Sequence, residues 1–347
     1  MRAAISQLVD EKDLDRGLTE NVMKEIMSGE ATDAQIGSFL TALNIKSETA
    51  EEIAACARVM RKFAKNINPS VDQAIVDTCG TGGDNLNTFN ISTTSMFVAS
   101  GAGVPIAKHG NRSVTSRSGS ADVLEQLGVN IDLSPKTVEK SIENIGIGFM
   151  FAPRFHEAMK HVIGPRKEIE IRSVFNVLGP LTNPAGTEAQ VMGVYGGDLT
   201  EKLAKVLKKL GCERALVIHG EDGLDEISTL DRTRVTELRG QKIESYYISP
   251  EDFDITPSTP NNIAGGTAEE NARIMLRILN GDEGPKRDIT ILNAAAAIYV
   301  SGLAESIQEG LEIAKNSIDT GEALEKVKAL IAFSGGKDDL EFLEELS

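Results

Sequence analysis

The sequence predicts an α/β protein: a small N-terminal helical domain followed by a large α/β domain with a mostly parallel central sheet. Three observations carry that reading. Residues 1 to about 66 show apolar spacing of the helical kind only. After residue 70 the texture changes to short apolar strands alternating with helices, which implies parallel strands with helices on both faces. At the end of the first of those strands stands a glycine-rich turn, Gly80-Thr81-Gly82-Gly83-Asp84, and an apolar helix opens shortly after it. In sheets of this type ligands bind beyond the carboxyl ends of the strands, where this turn falls.

Taken in order, Met23, Ile26 and Met27 follow helical spacing, as do Ile36, Phe39, Leu40 and Leu43. Thr32 with Gln35, and Thr49 with Glu52, each fit a capping box, in which the two side chains satisfy each other's backbone N–H groups. Gly29 separates the second helix from the third. Residues 66–70 include a proline and read as a connection, which puts the helical domain at 1–70 and the α/β domain at 71–347. Strands are expected at 74–77, 104–108, 129–132, 147–151, 191–195 and 215–219, with helices intervening at 135–145 and 199–210. Residues 227–248 read as short strands, and 252–266, rich in Pro, Asn and Thr, as a surface loop. From Thr267 onward the pattern is helical, with an alanine-rich piece at 293–297 that can pack closely. The alternation is interrupted at 164–184, where Gly179-Pro180 and Asn183-Pro184 read as breakers.

Composition narrows the function. The chain has 347 residues, enough for one large or two modest domains with a proper core. Its net charge of −16 argues against sequence-independent nucleic-acid binding, which rests on Lys and Arg neutralising phosphates. No apolar run approaches the ~20 residues that a membrane span requires. The N-terminus lacks a signal-peptide pattern. Cys56, Cys79 and Cys212 show no metal-ligand spacing and suit a reducing compartment, so the expectation is a cytoplasmic protein.

Within this acidic chain, residues 76–128 form a local exception. Glycines without a Cβ let backbone N–H groups approach a ligand closely, and a helix N-terminus adds unpaired donors with a favourable dipole. Lys108, Arg112 and Arg117 supply positive charge. The physical reading is a ligand carrying several phosphates. The spacing is neither the P-loop G-x-x-x-x-G-K-[ST] nor the dinucleotide G-x-G-x-x-G. Farther on, Asp225-Glu226 is a pair of adjacent carboxylates at a strand end. Such a pair suits Mg²⁺, which takes one or two carboxylates plus waters and substrate phosphates. By spacing alone a solvated acidic loop explains it equally well, since four of the six residues from Glu221 to Glu226 are acidic.

The motifs are G-T-G-G-D from Gly80, N-I-S-T from Asn90, K-H-G-N-R from Lys108 and S-G-S-A-D-V-L-E from Ser118. G-P-R from Gly164, F-N-x-L-G-P-L-T-N-P from Phe175 and D-G-L-D-E from Asp222 follow. In this order, and nearly from end to end, they resemble the anthranilate phosphoribosyltransferase family. The resemblance implies a nucleoside phosphorylase/phosphoribosyltransferase-like fold in which 164–184 returns to the helical domain. It implies transfer of the phosphoribosyl group of 5-phosphoribosyl 1-diphosphate to the amine of anthranilate, in tryptophan biosynthesis. Gly80, Gly83, Asp84 and Thr88 would contact the phosphoribosyl donor, and Asn90, Ile91, Ser92 and Thr93 would hold its phosphates. Lys108, His109, Gly110, Asn111, Arg112, Ser113, Val114, Thr115, Ser116 and Ser120 would wrap the same substrate. Arg166 would bind the anthranilate carboxylate together with Asn111, with Gly80 alongside, and His109, His156 and Pro180 would shape the aromatic pocket. Two Mg²⁺ per subunit are implied, one on Asp225 and Glu226 and one on Glu226 with Ser92. The same resemblance implies a homodimer through the N-terminal helices. No residue stands out as a general base. Glu170 departs from the family pattern, standing where glycine is usual, and so does Ser173, where threonine is usual; both bear on the local helix geometry after Arg166. Two other readings are a pyrimidine nucleoside phosphorylase and a nucleic-acid-binding paralogue. The chain lacks the extra C-terminal domain and K-x-S-G-R loop of the first. The second fits poorly with the acidic composition and with the presence of Asn111 and Arg166.

Overall fold

The computed structural model of the chain describes residues 1–83, 86–113 and 117–336. Four helices come first: α1 (Arg2–Val9), α2 (Arg16–Met27), α3 (Asp33–Lys46) and α4 (Ala50–Phe63). Both anticipated capping boxes form, at the starts of α3 and α4. The next elements are β1 (Val76–Gly80), α5 (Ile91–Gly101), β2 (Ile106–Gly110), α6 (Ser120–Gln126), α7 (Pro135–Ile145) and β3 (Ile147–Phe151). Then follow α8 (Ala152–Phe155), α9 (Lys160–Ile169), α10 (Phe175–Leu181), β4 (Ala189–Gly193), α11 (Leu199–Lys209) and β5 (Arg214–Gly220). The chain continues through β6 (Thr233–Arg239), β7 (Lys242–Ile248), α12 (Ala268–Leu279), α13 (Pro285–Ser301), α14 (Ile307–Asp319) and α15 (Glu322–Ser334). The seven strands form one sheet in the order β3-β2-β1-β4-β5-β6-β7. The first five are parallel, and β6 and β7 extend the edge antiparallel.

This order has a switch point. From β1 the chain steps outward through β2 to β3, then returns to β4 on the other side of β1. Connections from β1 and β4 therefore leave in opposite directions, and a crevice opens beyond their carboxyl ends. The strands alternate their side chains between two cores. On β5, Leu216 and Ile218 join α5, α6 and α12–α15 on one face. Ala215 and Val217 join α11 and the N-terminal helices on the other. Val162 of α9 and Phe175, Leu178 and Leu181 of α10 belong to that second core, among residues of α2, α3 and α4. Arg61 of α4 ties the parts together. Its Nε donates to Leu181 O at 2.8 Å and its Nη1 to Leu210 O at 3.3 Å, meeting the C-terminal ends of α10 and α11. Around it, Arg58 pairs with Glu20 and Glu51, and Glu51 with Lys209, on the surface between α2, α4 and α11.

Several expectations need correcting. Residues 129–132 form no strand. Val129 and Ile131 are buried, which produces the alternation. The backbone N–H groups, however, bond to Leu124 O, the Ser334 hydroxyl and the Asn130 side chain rather than to a ladder. Pro180 does not break the chain, and Pro165 too lies within a helix, α9. An interior proline removes a bond and crowds a carbonyl, and burial of Val162, Phe175, Leu178 and Leu181 in the second core holds the two helices nonetheless. The segment 252–266 contains part of one 3₁₀ turn, Pro250–Phe253, and all of another, Pro260–Ile263. Among the described residues no helix is long and apolar enough to cross a membrane. The cysteines Cys56, Cys79 and Cys212 are unpaired.

The N-terminal helices are held by a buried ion pair. Glu52 is fully buried, and its Oε1 accepts Leu14 N–H at 2.9 Å. Its Oε2 accepts Thr49 N–H at 2.8 Å, the Thr49 hydroxyl at 2.9 Å and Lys46 Nζ at 2.7 Å. Removing Glu52 leaves the Leu14 and Thr49 N–H groups without their acceptor, while Lys46 keeps Asp13 at 2.6 Å. Glu52→Ala should therefore lower stability by about 1–3 kcal/mol, the cost of a buried donor left unsatisfied, read as a shift of the urea midpoint. An unchanged midpoint would show that these bonds do not hold the helices.

Candidate active site

The site starts from two glycines at neighbouring strand ends. Gly80 closes β1 and Gly193 closes β4, and the loop after β5 brings Asp225 against both. A Cβ on Gly80 would lie 2.3 Å from Asp225 Oδ2, and one on Gly193 would lie 1.6 Å from Asp225 O. No side chain fits either place. Asp225 Oδ2 accepts the Gly82 N–H at 2.7 Å. The turn is also fastened to β4: Thr81 N–H donates to Gly193 O at 3.0 Å, and Tyr195 N–H donates to the Thr81 hydroxyl at 3.0 Å. Gly82 and Gly83 take left-handed φ of +69° and +89°, which glycine adopts without strain.

Beside this turn, α5 begins. Ser92 N–H donates to Glu226 Oε1 at 3.1 Å, so a carboxylate caps the positive end of the helix. Lys108, 3% exposed on β2, donates from Nζ to Thr78 O and to Ser92 Oγ, the latter at 3.3 Å. Residues from β1, β2, α5 and the loop after β5 thus meet at one point. Ile91 and Thr93 point into the core. Asn90 does not cap its own helix. Its side chain donates to Ser118 O at 3.2 Å and accepts from Asn271 of α12 at 2.9 Å, joining three segments. Thr88 pairs with Ala264 in an isolated bridge.

The loop after β2 folds over itself. Gly110 lies where a Cβ would meet Ser120 Oγ at 2.3 Å, and Gly119 where one would meet Ser113 N at 2.4 Å. Asp122 Oδ2 accepts the Ser113 and Gly119 N–H groups at 3.1 and 2.8 Å, and Ser120 Oγ donates to Asn111 O at 3.3 Å. Asn111 Oδ1 accepts the Arg112 N–H at 2.8 Å. The guanidinium of Arg112 pairs with Asp122 and Glu125 and stacks on Phe151. Its charge is therefore already engaged by α6, which spacing did not reveal; the cation at the strand ends is Lys108. Asp84, Val114, Thr115 and Ser116 lie outside the described residues.

Aromatic and apolar walls lie next to the phosphate-type cradle. The rings of His109 and His156 are 4.9 Å apart at 54°. Burial pushes His109 down to about 3 and His156 down to about 4, so both are neutral near pH 7. Their Nε2 atoms are buried without a hydrogen-bond partner. Asp77, fully buried beneath them, is pushed up to about 6 by its burial and accepts the His109 backbone N–H at 3.4 Å. Arg166 of α9 is half-buried, and burial lowers its pKa. It stacks on Phe175 at 5.5 Å and forms no ion pair among the described residues. A guanidinium fork has the geometry to pair with a planar carboxylate.

The sequence reading passed over Arg172. Its guanidinium stacks on Tyr195 at 4.2 Å, and its Nη2 lies 3.4 Å from where a Gly83 Cβ would stand. A second arginine six residues after Arg166 in an acidic chain was the available signal. Glu170 ends α9 in the left-handed region, with φ +48° and ψ 26°. This is the conformation for which glycine is favoured at a helix end, so the glycine usual at this position suits it better than Glu170, which takes it with a Cβ. Among the described residues no group of three His, Cys, Asp or Glu side chains is placed to hold a metal. The available oxygens are those of Asp225, Glu226 and Ser92, a hard set of the kind Mg²⁺ supplements with water and substrate phosphate.

Comparison with known proteins places these features in a family. Residues 72–324 match a family described as "Glycosyl transferase family, a/b domain", and residues 2–64 match "Glycosyl transferase family, helical bundle domain". The anthranilate phosphoribosyltransferase of Acetivibrio thermocellus is 55% identical over 334 residues, spanning 96% of each chain. The crystal structure of the enzyme of that name from Thermus thermophilus superposes with a TM-score of 0.91 at 39% identity, over 96% of this chain and 99% of that one. The Saccharomyces cerevisiae enzyme, solved in complex with PRPP and Mg, superposes with a TM-score of 0.88 at 30% identity, over 96% of this chain and 97% of that one.

The tight fit between strand ends and loop is open to measurement. Gly193→Ala forces a methyl group into the Asp225 carbonyl and should cost about 1–3 kcal/mol, the range for overpacking, in urea denaturation. A variant as stable as the parent would mean that the loop yields freely and that its position is not set by this contact.

Proposed function

This chain belongs to the anthranilate phosphoribosyltransferase family, and we propose that it transfers the phosphoribosyl group of 5-phosphoribosyl 1-diphosphate to the amine of anthranilate. The products are N-(5-phosphoribosyl)anthranilate and diphosphate, in L-tryptophan biosynthesis. One observation supports this most: Arg166, half-buried and without an ion pair among the described residues, lies on a segment separate from the point where the glycine turn, the start of α5 and Lys108 meet. Two anions of different shape, a planar carboxylate and a diphosphate, are what such an arrangement binds.

The roles divide along the same line. The glycine turn and the first turn of α5, with Lys108, bind the phosphates of the donor. Asn111, Ser113, Ser120 and the residues between Lys108 and Ser116 enclose it. Asp225 and Glu226 hold one Mg²⁺, and Glu226 with Ser92 another, two per subunit; the fit rests on the oxygen donors these side chains offer. Bound Mg²⁺ neutralises charge that develops on the departing diphosphate. Arg166 clamps the anthranilate carboxylate with Asn111, which aims the amine at the ribose carbon and removes much of the entropic cost of encounter. His109, His156 and Pro180 wall the aromatic pocket, and both imidazoles present an uncharged surface to it. No side chain is assigned as general base, because the aniline nitrogen becomes acidic as it attacks.

Residues 164–184 belong with the helical domain in this reading, supported by the core that α9 and α10 share with α2–α4. A cytoplasmic location fits the unpaired cysteines. The active form is a homodimer joined through the N-terminal helices, where Val9 is 68% and Ile45 73% exposed at the C-terminal ends of α1 and α3. Light scattering at micromolar concentration should give twice the chain mass; a monomer would overturn the dimer.

Arg166→Ala should separate the two substrates. A charge-assisted hydrogen bond contributes roughly 1.5–3 kcal/mol, or on the order of 10- to 150-fold in an equilibrium constant. The KM for anthranilate should rise by that factor, while the Kd for 5-phosphoribosyl 1-diphosphate, measured by calorimetry with Mg²⁺ present, stays near its parent value. An equal rise in both would make Arg166 a phosphate ligand and defeat the division.

A further inference from the structure

Asn293 lies on α13 and is 2% exposed. Its Nδ2 donates to Ile289 O at 2.9 Å, one turn back on its own helix. The rest of the amide reaches across the interior to a single residue 66 positions earlier. Nδ2 donates to Ile227 O at 2.9 Å, and Oδ1 accepts the Ile227 N–H at 2.9 Å. Both backbone groups of the residue that follows Glu226 are thereby fixed by one side chain. The Ile227 side chain is itself buried.

The other end of the same loop is braced by a different residue. Asp222 Oδ1 accepts the Leu224 N–H at 3.0 Å, and Gly220 N–H donates to Leu224 O at 2.9 Å. Between these two braces stand Asp225 and Glu226, whose carboxylates reach the glycine turn and α5. Glu226, Ser92 and Asn293 line one small cavity. The frame that carries Asn293 is rigid: Ala294, Ala295, Ala296 and Ala297 are fully buried, and the Ser95 hydroxyl of α5 donates to Thr290 O at 3.0 Å. The helix that bears Ser92 and the helix that bears Asn293 are therefore one unit.

We propose that Asn293 is a positioning residue for the divalent-cation site, holding the Ile227 peptide so that the Asp225 and Glu226 carboxylates keep one arrangement relative to Ser92. The proposal rests on the reading of those carboxylates as metal ligands. The amide of Asn293 is spent on Ile227 and Ile289, so its effect on the site runs through the loop. A core position needing only a satisfied amide could bond within its own helix; here most of the hydrogen-bonding capacity is spent on the loop. Partners that orient metal ligands typically affect metal affinity about 10- to 100-fold when removed.

The test uses the full chain with saturating 5-phosphoribosyl 1-diphosphate and reads bound Mn²⁺ by electron paramagnetic resonance. Asn293→Ala and Asn293→Ser are compared with the parent, with the double variant Asp225→Asn/Glu226→Gln, and with Ser317→Ala. Ser317 supplies a matched loss away from the loop, since its buried hydroxyl donates to Val98 O at 2.8 Å. Serine at 293 is too short to reach Ile227 but can still bond to its own helix, so it serves if the alanine variant does not fold. Both Asn293 variants should weaken Mn²⁺ binding about 10- to 100-fold, with the anthranilate KM at saturating Mn²⁺ unchanged. Ser317→Ala should lower the melting temperature yet bind Mn²⁺ as the parent does. If the double variant loses Mn²⁺ while the Asn293 variants bind it with parental affinity, Asn293 is structural only and the proposal fails. If the double variant itself keeps parental affinity, the carboxylates are not the ligands, and the metal reading fails first.

Discussion

The contact on which the rest of this site depends is the passage of the Asp225 backbone across the ends of β1 and β4. It is possible because both strands finish in glycine, and it sets one carboxylate against the glycine turn. The adjacent carboxylate then reaches the Ser92 amide in the first turn of α5. A loop from the far side of β4 is thus brought onto the phosphate-type cradle between β1 and β2. The space left by two missing side chains permits this, and the bonds of Asp225 and Glu226 to the Gly82 and Ser92 amides hold it.

The sheet order explains why these pieces converge. With β1 flanked by β2 on one side and β4 on the other, its carboxyl end is the place where connections diverge. The groups gathered there in an acidic protein are local: a glycine turn, a helix terminus and one nearly buried lysine. Arg112, the more exposed cation, is occupied by Asp122 and Glu125 and organises its loop instead. The neighbouring histidines are kept uncharged by burial, which suits the wall of a pocket for an aromatic ring.

Much of the fold was legible in the sequence where local rules decide. The Thr32 and Thr49 capping boxes, the α7 helix and the β3 strand fall where spacing places them. Val129 to Asp132 misled because burial of alternate residues needs only a core beneath an extended chain, while a strand also needs a partner edge. Pro180 misled because burial of Phe175, Leu178 and Leu181 in the second core holds the helix despite the proline. At the site, the glycine turn, Lys108 and Arg166 were readable as residue types suited to anions. What one dimension could not show was pairing: that Arg112 is taken by α6, that Arg172 rests on Tyr195 above Gly83, or that Gly193 exists for the sake of Asp225. Each of these depends on residues that only folding brings into contact.

The attachment of α4 to the rest of the molecule has a consequence for ionic conditions. Two kinds of electrostatic contact join that helix to its neighbours. The Arg58, Glu51 and Lys209 pairs stand at the surface, where mobile ions screen them and where each is worth little even in dilute buffer. Arg61 instead gives its charge to two carbonyls at helix ends, in a place largely withdrawn from solvent. Counter-ions reach it poorly, and no carboxylate is present for them to replace. Concentrated salt therefore loosens the outer pairs and leaves the inner tie intact. The junction of α4 with α10 and α11 keeps its attachment over a range of salinity in which the visible ion pairs have ceased to matter.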